Sequence, residues 1–274
     1  MPDAFYIPKG PPFGEAAGSA GCARSHFAST ELTRGPWDPG SQHAGPPCAL
    51  LGAEMDRAGK LDPARVARMT FEILRPVPIA PLEVKARVVR PGRSVELVEG
   101  SLSAGDTEIL RARAWRVRTT EVQLDGPSEP DERMAPPSGA QTQDFFPTGQ
   151  EVGYQSAMEV RFLSGSYLEP GPAQAWMRMR GLLVEGEEVS PLDRVLVAAD
   201  SGNGVSASLD YRRWLFINAD LSVALQRLPR GEWVGLDAAT YAEPDGIGLS
   251  DTRLHDEHGA IGRATQSLLV GERR

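Results

Sequence analysis

The sequence has few cysteines and no pattern typical of a bound metal or nucleotide. Its 274 residues include two cysteines and four histidines, and the histidines are scattered rather than spaced as in a zinc site. It contains no phosphate-binding loop of the Walker type and no glycine pattern typical of dinucleotide binding. These absences argue against zinc enzymes, nucleoside triphosphatases and nicotinamide-dependent enzymes. We therefore expect no metal and no redox cofactor.

Basic residues are also fewer than acidic residues. The chain has 29 Lys and Arg residues against 37 Asp and Glu residues, a net charge of −8. A general nucleic-acid-binding protein is expected to carry a basic face, so nucleic acid is not an expected partner. No apolar run is long enough to span a bilayer, so no membrane segment is predicted either.

The start of the sequence shows no secretory signal. Met1–Ala4 has neither a basic start nor an apolar core. We therefore expect a cytoplasmic protein in which Cys22 and Cys48 are reduced thiols rather than a disulfide. Cys48 is not expected to be a nucleophile, because no basic partner is apparent.

The second half of the chain repeats the first. Met69–Arg75 is echoed by Leu221–Arg227, and Ile109–Ala114 is echoed by Ile261–Gln266. The echoes are about one domain length apart, which predicts two copies of one fold.

The repeat is asymmetric at one position. Where the first copy has Ala114, the second has Gln266. A buried amide needs a hydrogen-bond partner, since burying it unpaired is costly. The asymmetry therefore indicates a site in the second copy.

Each copy combines one helix with a series of strands. Helices are predicted at Cys48–Met55 and Pro191–Asp200. The strict alternation of Leu82–Val88 is typical of a half-buried strand. The other long strands are predicted at Val95–Ser103, Ile109–Thr119, Trp214–Gln226, Glu232–Thr240, Gly248–His255 and Ala260–Val270. One helix can lie across the apolar face of such an antiparallel sheet.

Composition suggests where the copies begin and end. Residues 1–25 are rich in Gly, Pro and Ala and are predicted to form an irregular N-terminal arm. Residues 121–150 are polar and proline-rich, as in a linker. The copies then occupy residues 26–120 and 151–274. Two copies can pair like the subunits of a symmetric dimer, and exposed strand edges permit further association into a homo-oligomer.

The order of several short motifs resembles that of acyl-CoA thioesterases of the thioesterase II type. The motifs are Arg34–Trp37, His43–Pro46, Arg75–Pro78, Arg90–Arg93, Ala198–Asp200 and Gly262–Gln266. The resemblance covers nearly the whole chain from residue 25. It implies an α+β double hotdog fold, in which two antiparallel sheets each wrap around a central helix. It also implies a hydrolase of lipid metabolism whose substrate is an acyl-CoA, with coenzyme A entering only as part of that substrate.

The resemblance also implies catalytic residues. In this family an aspartate on the second central helix, a hydroxyl residue on the next strand and a glutamine on the last strand hold the attacking water. Residue-by-residue matching assigns Asp200 as the aspartate and Gln266 as the glutamine, and places Asn218 where the family usually has threonine. Asp220 and Ser222 are the alternatives for this third position.

Four further residues are candidates for substrate binding. His43 and Gly45 precede the first helix, where a free backbone N–H can donate to a thioester oxyanion. The alternative is that Gly45 only makes the turn and His43 caps or packs. Arg90 and Arg93 flank a turn and could meet coenzyme A phosphates, although exposed arginines in turns are commonly solubilising.

Two other functions stay open. A non-catalytic binder of acyl or aromatic thioesters would keep the pocket without turnover, and the departure at Asn218 is compatible with it. An enoyl-thioester hydratase needs a well-placed pair of Asp and His. His255 and His258 are predicted at a hairpin end far from the helix, which disfavours that reaction. Trp37 and Trp214 could wall an acyl pocket or pack in the core.

Overall fold

The computed structural model describes residues 3–10, 22–125, 133–143 and 148–273. The helices are α1 (Gly45–Ala58), α2 (Tyr154–Ala157), α3 (Pro191–Ala199) and α4 (Gly202–Val205), with 3-10 turns at Glu31–Thr33 and Pro137–Gly139. The strands are β1 (Ala4–Lys9), β2 (Ala23–Ser29), β3 (Ala64–Ile73), β4 (Pro81–Arg90), β5 (Val95–Ala104), β6 (Thr107–Arg118), β7 (Gln141–Thr142), β8 (Met158–Ser164), β9 (Ala173–Met179), β10 (Leu182–Val184), β11 (Trp214–Asn218), β12 (Asp220–Leu225), β13 (Val234–Ala242), β14 (Ile247–Asp256) and β15 (Gly259–Glu272). No helix among these residues is long and apolar enough to cross a membrane.

The strands of both copies are continuous in one sheet. Its order in the described residues is β10-β1-β2-β4-β5-β6-β3-β12-β15-β14-β13-β9-β8-β7, with β11 also paired to β15. The two expected sheets meet where β3 and β12 pair antiparallel. At this junction the backbone N–H and C=O groups on the edge strand of each copy hydrogen-bond to the other copy. The two sheets are therefore joined rather than separate.

This junction reproduces the sequence repeat. Thr70 lies directly opposite Ser222, and the two occupy the same place in the echoed segments. On either side, Met69 faces Val223 and Phe71 faces Leu221. The pairing is therefore mirrored about Thr70 and Ser222, as in an isologous contact between two copies.

The two long helices pack together in the core beneath the sheet. The α1 helix extends three residues beyond the predicted Cys48–Met55 at each end, and α3 ends one residue before Asp200. A Cβ at Gly52 would lie 2.4 Å from Cδ1 of Leu196, so glycine permits this close helix contact. The packing brings the start of α1 next to the end of α3.

The N-terminal segment differs from its prediction. An irregular arm is wrong for Ala4–Lys9, which forms β1 between β2 and the parallel strand β10. The reason is burial: Phe5 and Tyr6 are inaccessible to solvent, and burying two aromatic rings stabilises an ordered strand. Residues 11–21 of the predicted arm lie outside the described residues.

The predicted linker is partly ordered. Residues 121–125 and 133–136 contain no helix or strand, whereas β7 pairs with β8. The indole of Trp176 donates to the carbonyl of Ala135 at 2.8 Å, and this fixes one stretch of the segment. Residues 126–132 and 144–147 lie outside the described residues. The copy boundaries at 26–120 and 151–274 stay predictions.

The predicted strand Trp214–Gln226 is interrupted at Ala219. Five residues, from Asn218 to Ser222, lie opposite the four residues from Thr265 to Leu268. This extra residue makes a bulge between β11 and β12, and bulges redirect the neighbouring side chains. Asn218 stands immediately before it.

Candidate active site

Asp200 is a buried carboxylate at the junction of α3 and α4. The α3 helix begins with Ser190, whose hydroxyl accepts from the N–H of Asp193 at 3.1 Å, and ends at Ala199. Asp200 follows as its C-terminal cap and is 4% exposed. A buried carboxylate is costly unless it is hydrogen-bonded, so its donors determine whether it is tolerated.

Two amide side chains donate to Oδ1 of Asp200. The distances are 2.8 Å from Nδ2 of Asn218 and 3.2 Å from Nε2 of Gln266. Nε2 of Gln266 also lies 3.1 Å from the backbone carbonyl oxygen of Asp200, and Oε1 of Gln266 accepts from the N–H of Asn203 at 3.2 Å. Gln266 is thus held at both ends of its amide, and the three residues matched by resemblance lie together.

His43 faces the other carboxylate oxygen. Its Nδ1 lies 3.1 Å from Oδ2 of Asp200 and 3.1 Å from the backbone nitrogen of Gly45. Burial lowers the pKa of His43, against the opposing effect of the Asp200 charge, so the ring is neutral near pH 7. A neutral Nδ1 either donates to Asp200 or accepts from Gly45. In the structure the N–H of Gly45 points at Nδ1 and donates to it, whereas donation by Nδ1 to Asp200 would avoid setting two lone pairs against each other.

Gly45 is the first residue of α1 and lies against the end of α3. An added Cβ would be 2.4 Å from the carbonyl oxygen of Val197 and 3.2 Å from Nδ1 of His43. Pro46 and Pro47 follow and carry no N–H. Gly45 therefore supplies the one N–H of the first three helical residues.

A cleft of about 440 Å³ reaches the side chains of Asp200, His43 and Asn218. Its wall is mostly apolar and includes Pro36, Trp37, Ala44, Ile73, Leu74, Pro76, Val77, Ile217, Ala219 and Leu269. The other polar or charged side chains lining it are Asp38, Ser41, Gln42, Arg75 and Asn203. An apolar cleft with a few convergent polar groups is typical of a small-molecule site. Gly45 and Gln266 do not line it, but they contact residues that do.

Arg90 and Arg93 are not brought to this cleft. Nη1 of Arg90 donates to the carbonyl of Val95 at 3.1 Å, and its guanidinium lies over the ring of Trp115 at 5.6 Å. The arginine that lines the cleft is instead Arg75, the first residue of the Arg75–Pro78 motif.

The alternatives to Asn218 are engaged elsewhere. Oδ1 of Asp220 accepts from the N–H of Ser267 at 2.7 Å. The hydroxyl of Ser222 lies 3.5 Å from that of Thr70, at the junction of the copies. Asn218 is therefore the residue of this group that contacts Asp200.

The other residues weighed from the sequence lie outside the cleft, with the exception of Trp37. His255 is at the end of β14 and His258 is in the following turn, as predicted. Trp37 lines the cleft, whereas Trp214 packs in a separate apolar cluster around Phe216. Cys48 is fully buried, and burial raises the pKa of its thiol well above the usual range, as expected for an unreactive cysteine.

The first copy has no equivalent polar group. The strand register places Val66, Val98 and Ala114 where the second copy has Asn218, Ser250 and Gln266. All three first-copy side chains are buried and apolar. Among the residues that the structure describes, the arrangement of amide and hydroxyl side chains at these three strand positions therefore occurs in the second copy and is not repeated in the first. Across the same residues, no cluster of three or more His, Cys, Asp or Glu is placed to hold a metal ion.

Tyr154 and Asn203 were missed by sequence reasoning. The ring of Tyr154 is stacked on that of His43, and the backbone N–H of Asn203 fixes Gln266. Neither lies in a quoted motif. The one available signal is that Asn203 belongs to the glycine-rich stretch directly after Asp200, and such a composition by itself predicts only the end of a helix.

Family models match both halves of the chain. The model of the acyl-CoA thioesterase N-terminal domain matches residues 33–117, and that of the C-terminal domain matches residues 130–270. The chain belongs to the acyl-CoA thioesterase family. This membership makes it a thioester hydrolase, as the resemblance implied.

Solved structures share the hotdog fold with this thioesterase. A candidate thioesterase II from Thermobifida fusca is 16% identical, with a TM-score of 0.74 and 95% of each chain covered. An acyl-CoA thioesterase II from Mycobacterium marinum is 15% identical, with a TM-score of 0.67 and 96% of each chain covered. A hot dog protein of unknown function from Alicyclobacillus acidocaldarius is 14% identical, with a TM-score of 0.68, covering 92% of this chain and 93% of that one. At these identities the likeness shows the fold alone. No curated protein matches the sequence.

Proposed function

We propose that this thioesterase hydrolyses an acyl-CoA thioester with a water molecule activated by Asp200. The observation that carries the proposal is the arrangement of that carboxylate. It reaches the cleft, its Oδ1 is fixed by Asn218 and Gln266, and its Oδ2 faces His43. A carboxylate oriented in this way can accept a proton from a water bound beside it.

The reaction needs one water and no other reactant. The water lies in the cleft beside Asp200 and Asn218, and Asp200 takes one of its protons as the oxygen attacks the thioester carbonyl carbon. The carbon–sulfur bond then breaks, and the proton passes from Asp200 to the leaving sulfur. The products are a carboxylic acid and the thiol of coenzyme A.

Asn218 and Gln266 have different roles in this scheme. The Asn218 amide donates to Asp200 through Nδ2, and its Oδ1 is an acceptor for the second proton of the water. Asparagine can thus do the work of the threonine that the family usually has here. Gln266 donates a hydrogen bond from its amide nitrogen to Asp200 and does not line the cleft. Its role is therefore to orient the carboxylate that holds the water.

The oxyanion is stabilised at the start of α1. The N–H of Gly45 donates to Nδ1 of His43, so the neutral ring carries its proton on Nε2, and His43 lines the cleft. The Nε2–H of this ring, beside the positive end of the α1 dipole, is the proposed donor to the developing oxyanion. Glycine is required at position 45 because a side chain would collide with Val197.

The apolar wall of the cleft holds the acyl chain. Trp37, Ile73 and Ile217 supply surface for it. Arg75 is the basic side chain that lines the cleft, and it replaces Arg90 and Arg93 as our candidate for the phosphates of coenzyme A. No resident cofactor has a role in this reaction.

The fold in this proposal is a double hotdog, with α1 and α3 as the two central helices. The mirrored pairing around Thr70 and Ser222 and the packing of α1 on α3 support it. The proposed compartment is the cytoplasm, since Cys22 and Cys48 are both free thiols.

A panel of acyl-CoAs tests the reaction, with thiol release as the measurement. Hydrolysis predicts steady release of coenzyme A from at least one acyl-CoA, with the carboxylic acid formed in equal amount. Tight binding of acyl-CoAs by the wild-type protein with no thiol released would overturn the proposal in favour of a non-catalytic binder.

A second candidate is hydration of an enoyl thioester. The histidines considered for its Asp and His pair, His255 and His258, lie outside the cleft, whereas Asp200 and His43 are 3.1 Å apart and both line it. Loss of the enoyl absorbance of crotonyl-CoA with no thiol released would favour the hydratase.

A further inference from the structure

We propose that Tyr154 is a positioning residue, which holds His43 and the end of α3 so that Asp200 keeps its orientation in the cleft. This inference rests on the proposed hydrolysis, because it assigns Tyr154 a role in that reaction. Three independent contacts support it: one to His43, one to the last turn of α3 and one to the loop that forms a wall of the cleft.

The first contact is to His43. The rings of Tyr154 and His43 are stacked with centroids 3.7 Å apart and planes 7° from parallel. Tyr154 is itself buried, and the ring centroid of Phe5 lies 6.4 Å from its own. The stack fixes the plane of the imidazole and therefore the direction of Nδ1 toward Asp200. It also keeps water from that face of His43, which contributes to the burial that lowers its pKa.

The second contact is to the last turn of α3. The hydroxyl of Tyr154 donates to the carbonyl of Val197 at 2.9 Å and lies 2.9 Å from the hydroxyl of Ser201, which can donate to it. The N–H of Ser201 donates to Ala198, so the helix ends in a tight turn and the Val197 carbonyl is left for Tyr154. Val197 and Ser201 stand on either side of Asp200, and anchoring them restricts how that residue can turn.

The third contact is to the loop that forms one wall of the cleft. The N–H of Tyr154 donates to the carbonyl of Arg34 at 2.9 Å, and Nη1 of Arg34 donates to the carbonyl of Val152 at 2.9 Å. The residues directly after Arg34, Gly35 to Asp38, line the cleft. Burial raises the pKa of Tyr154 well above its usual range, so its hydroxyl stays protonated and remains a donor.

Two variants distinguish the contribution of the ring stack from that of the hydroxyl group of Tyr154. Tyr154→Phe keeps the ring on His43 and removes the hydrogen bonds to α3, whereas Tyr154→Leu removes both. The matched control is Trp176→Phe, since Trp176 is also fully buried and also donates to a backbone carbonyl, that of Ala135 at 2.8 Å, but does not line the cleft. The measurements are thermal unfolding, kcat and KM for thiol release, and the titration of the His43 ring by NMR.

We expect Tyr154→Phe to lower kcat roughly tenfold with KM changed less than about twofold, because the carboxylate is misplaced and the acyl site is intact. Tyr154→Leu should lower kcat by roughly a hundredfold and raise the pKa of His43 toward its usual value. Trp176→Phe should destabilise the protein while leaving kcat and the His43 titration unchanged.

The inference is overturned if both Tyr154 variants only lower thermal stability, with kcat and the His43 titration as in the wild type. If Tyr154→Leu does not fold, the kcat of Tyr154→Phe decides: a wild-type value overturns the inference, and the expected loss supports it. Retention of activity by Asp200→Asn would instead refute the proposed hydrolysis, and the His43 titration would still test whether Tyr154 controls that ring.

Discussion

Nδ2 of Asn218 lies 2.8 Å from Oδ1 of Asp200, and this contact joins a strand end to a helix end. The bulge at Ala219 sets Asn218 at the point where the strand changes register, and the C-terminal cap of α3 sets Asp200 opposite it. The carboxylate is therefore held by a donor on a residue that lines the cleft.

Replacing Asn218 tests how much its hydrogen bond to Asp200 contributes to the rate of hydrolysis. Asn218→Asp exchanges the donor for a second carboxylate, and we expect kcat/KM to fall roughly a hundredfold because two like charges would share the site. Asn218→Thr restores the residue usual in the family and should stay within about tenfold of wild type, since its hydroxyl can both donate and accept. Thiol release measures both. Equal activity of Asn218→Asp and wild type would exclude Asn218 from the site.

A side chain at Gly45 should disturb both packing and rate. The Cβ of Gly45→Ala would meet the carbonyl oxygen of Val197 at 2.4 Å, so we expect a loss of about 1–3 kcal/mol in unfolding free energy together with a lower kcat. Urea unfolding and thiol release measure the two effects. The control is Gly271→Ala, where an added Cβ would have no atom within 4 Å. Similar losses in both variants would contradict the assignment of Gly45.

His43 should make stability depend on pH. Burial lowers its pKa in the folded state, so below the unfolded value of about 6.5 the unfolded chain binds more protons. Stability should therefore fall as the pH drops from about 7.5 to about 5.5, measured by urea unfolding. His43→Asn should flatten this dependence. His255 has a pKa lowered by burial too, so the double variant His43→Asn/His255→Asn should be flatter still. An unchanged slope in the double variant would contradict this account.

Replacing Arg75 should weaken the binding of acyl-CoA, whereas replacing Arg90 should not. Arg75 lines the cleft, whereas Arg90 is engaged with Val95 and Trp115. We expect Arg75→Ala to raise KM for acyl-CoA by roughly three- to tenfold, and Arg90→Ala to leave it unchanged. Steady-state kinetics at low salt measures both, because screening weakens exposed ion pairs. A raised KM in Arg90→Ala alone would restore the interpretation drawn from the sequence.

Much of the architecture could be predicted because it follows from local patterns. The alternation in Leu82–Val88 corresponds to β4, and the apolar run from Pro191 corresponds to α3. The irregular arm was predicted wrongly at Ala4–Lys9, because nothing local shows that this segment is paired between β2 and β10. Pairing of that kind depends on contacts distant in sequence.

The residues of the candidate site could be predicted from the sequence only in part. Asp200 and Gln266 could be matched to motifs, and the asymmetry with Ala114 singled out Gln266. The contacts of His43 could not be found this way, because they depend on the start of α1 lying beside the end of α3. The positions of Arg90 and Tyr154 likewise depend on how the copies pack, which no spacing along the chain records.

The most direct test of the account is thiol release by Asp200→Asn compared with wild type across a panel of acyl-CoAs. Asparagine keeps the size of the side chain and removes the base, so we expect kcat/KM to fall by roughly a thousandfold, within the range for loss of a general base. Asp220→Asn is the matched control, since its carboxylate accepts from Ser267 and does not line the cleft. Wild-type rates in Asp200→Asn, or an equal loss in Asp220→Asn, would contradict the central claim.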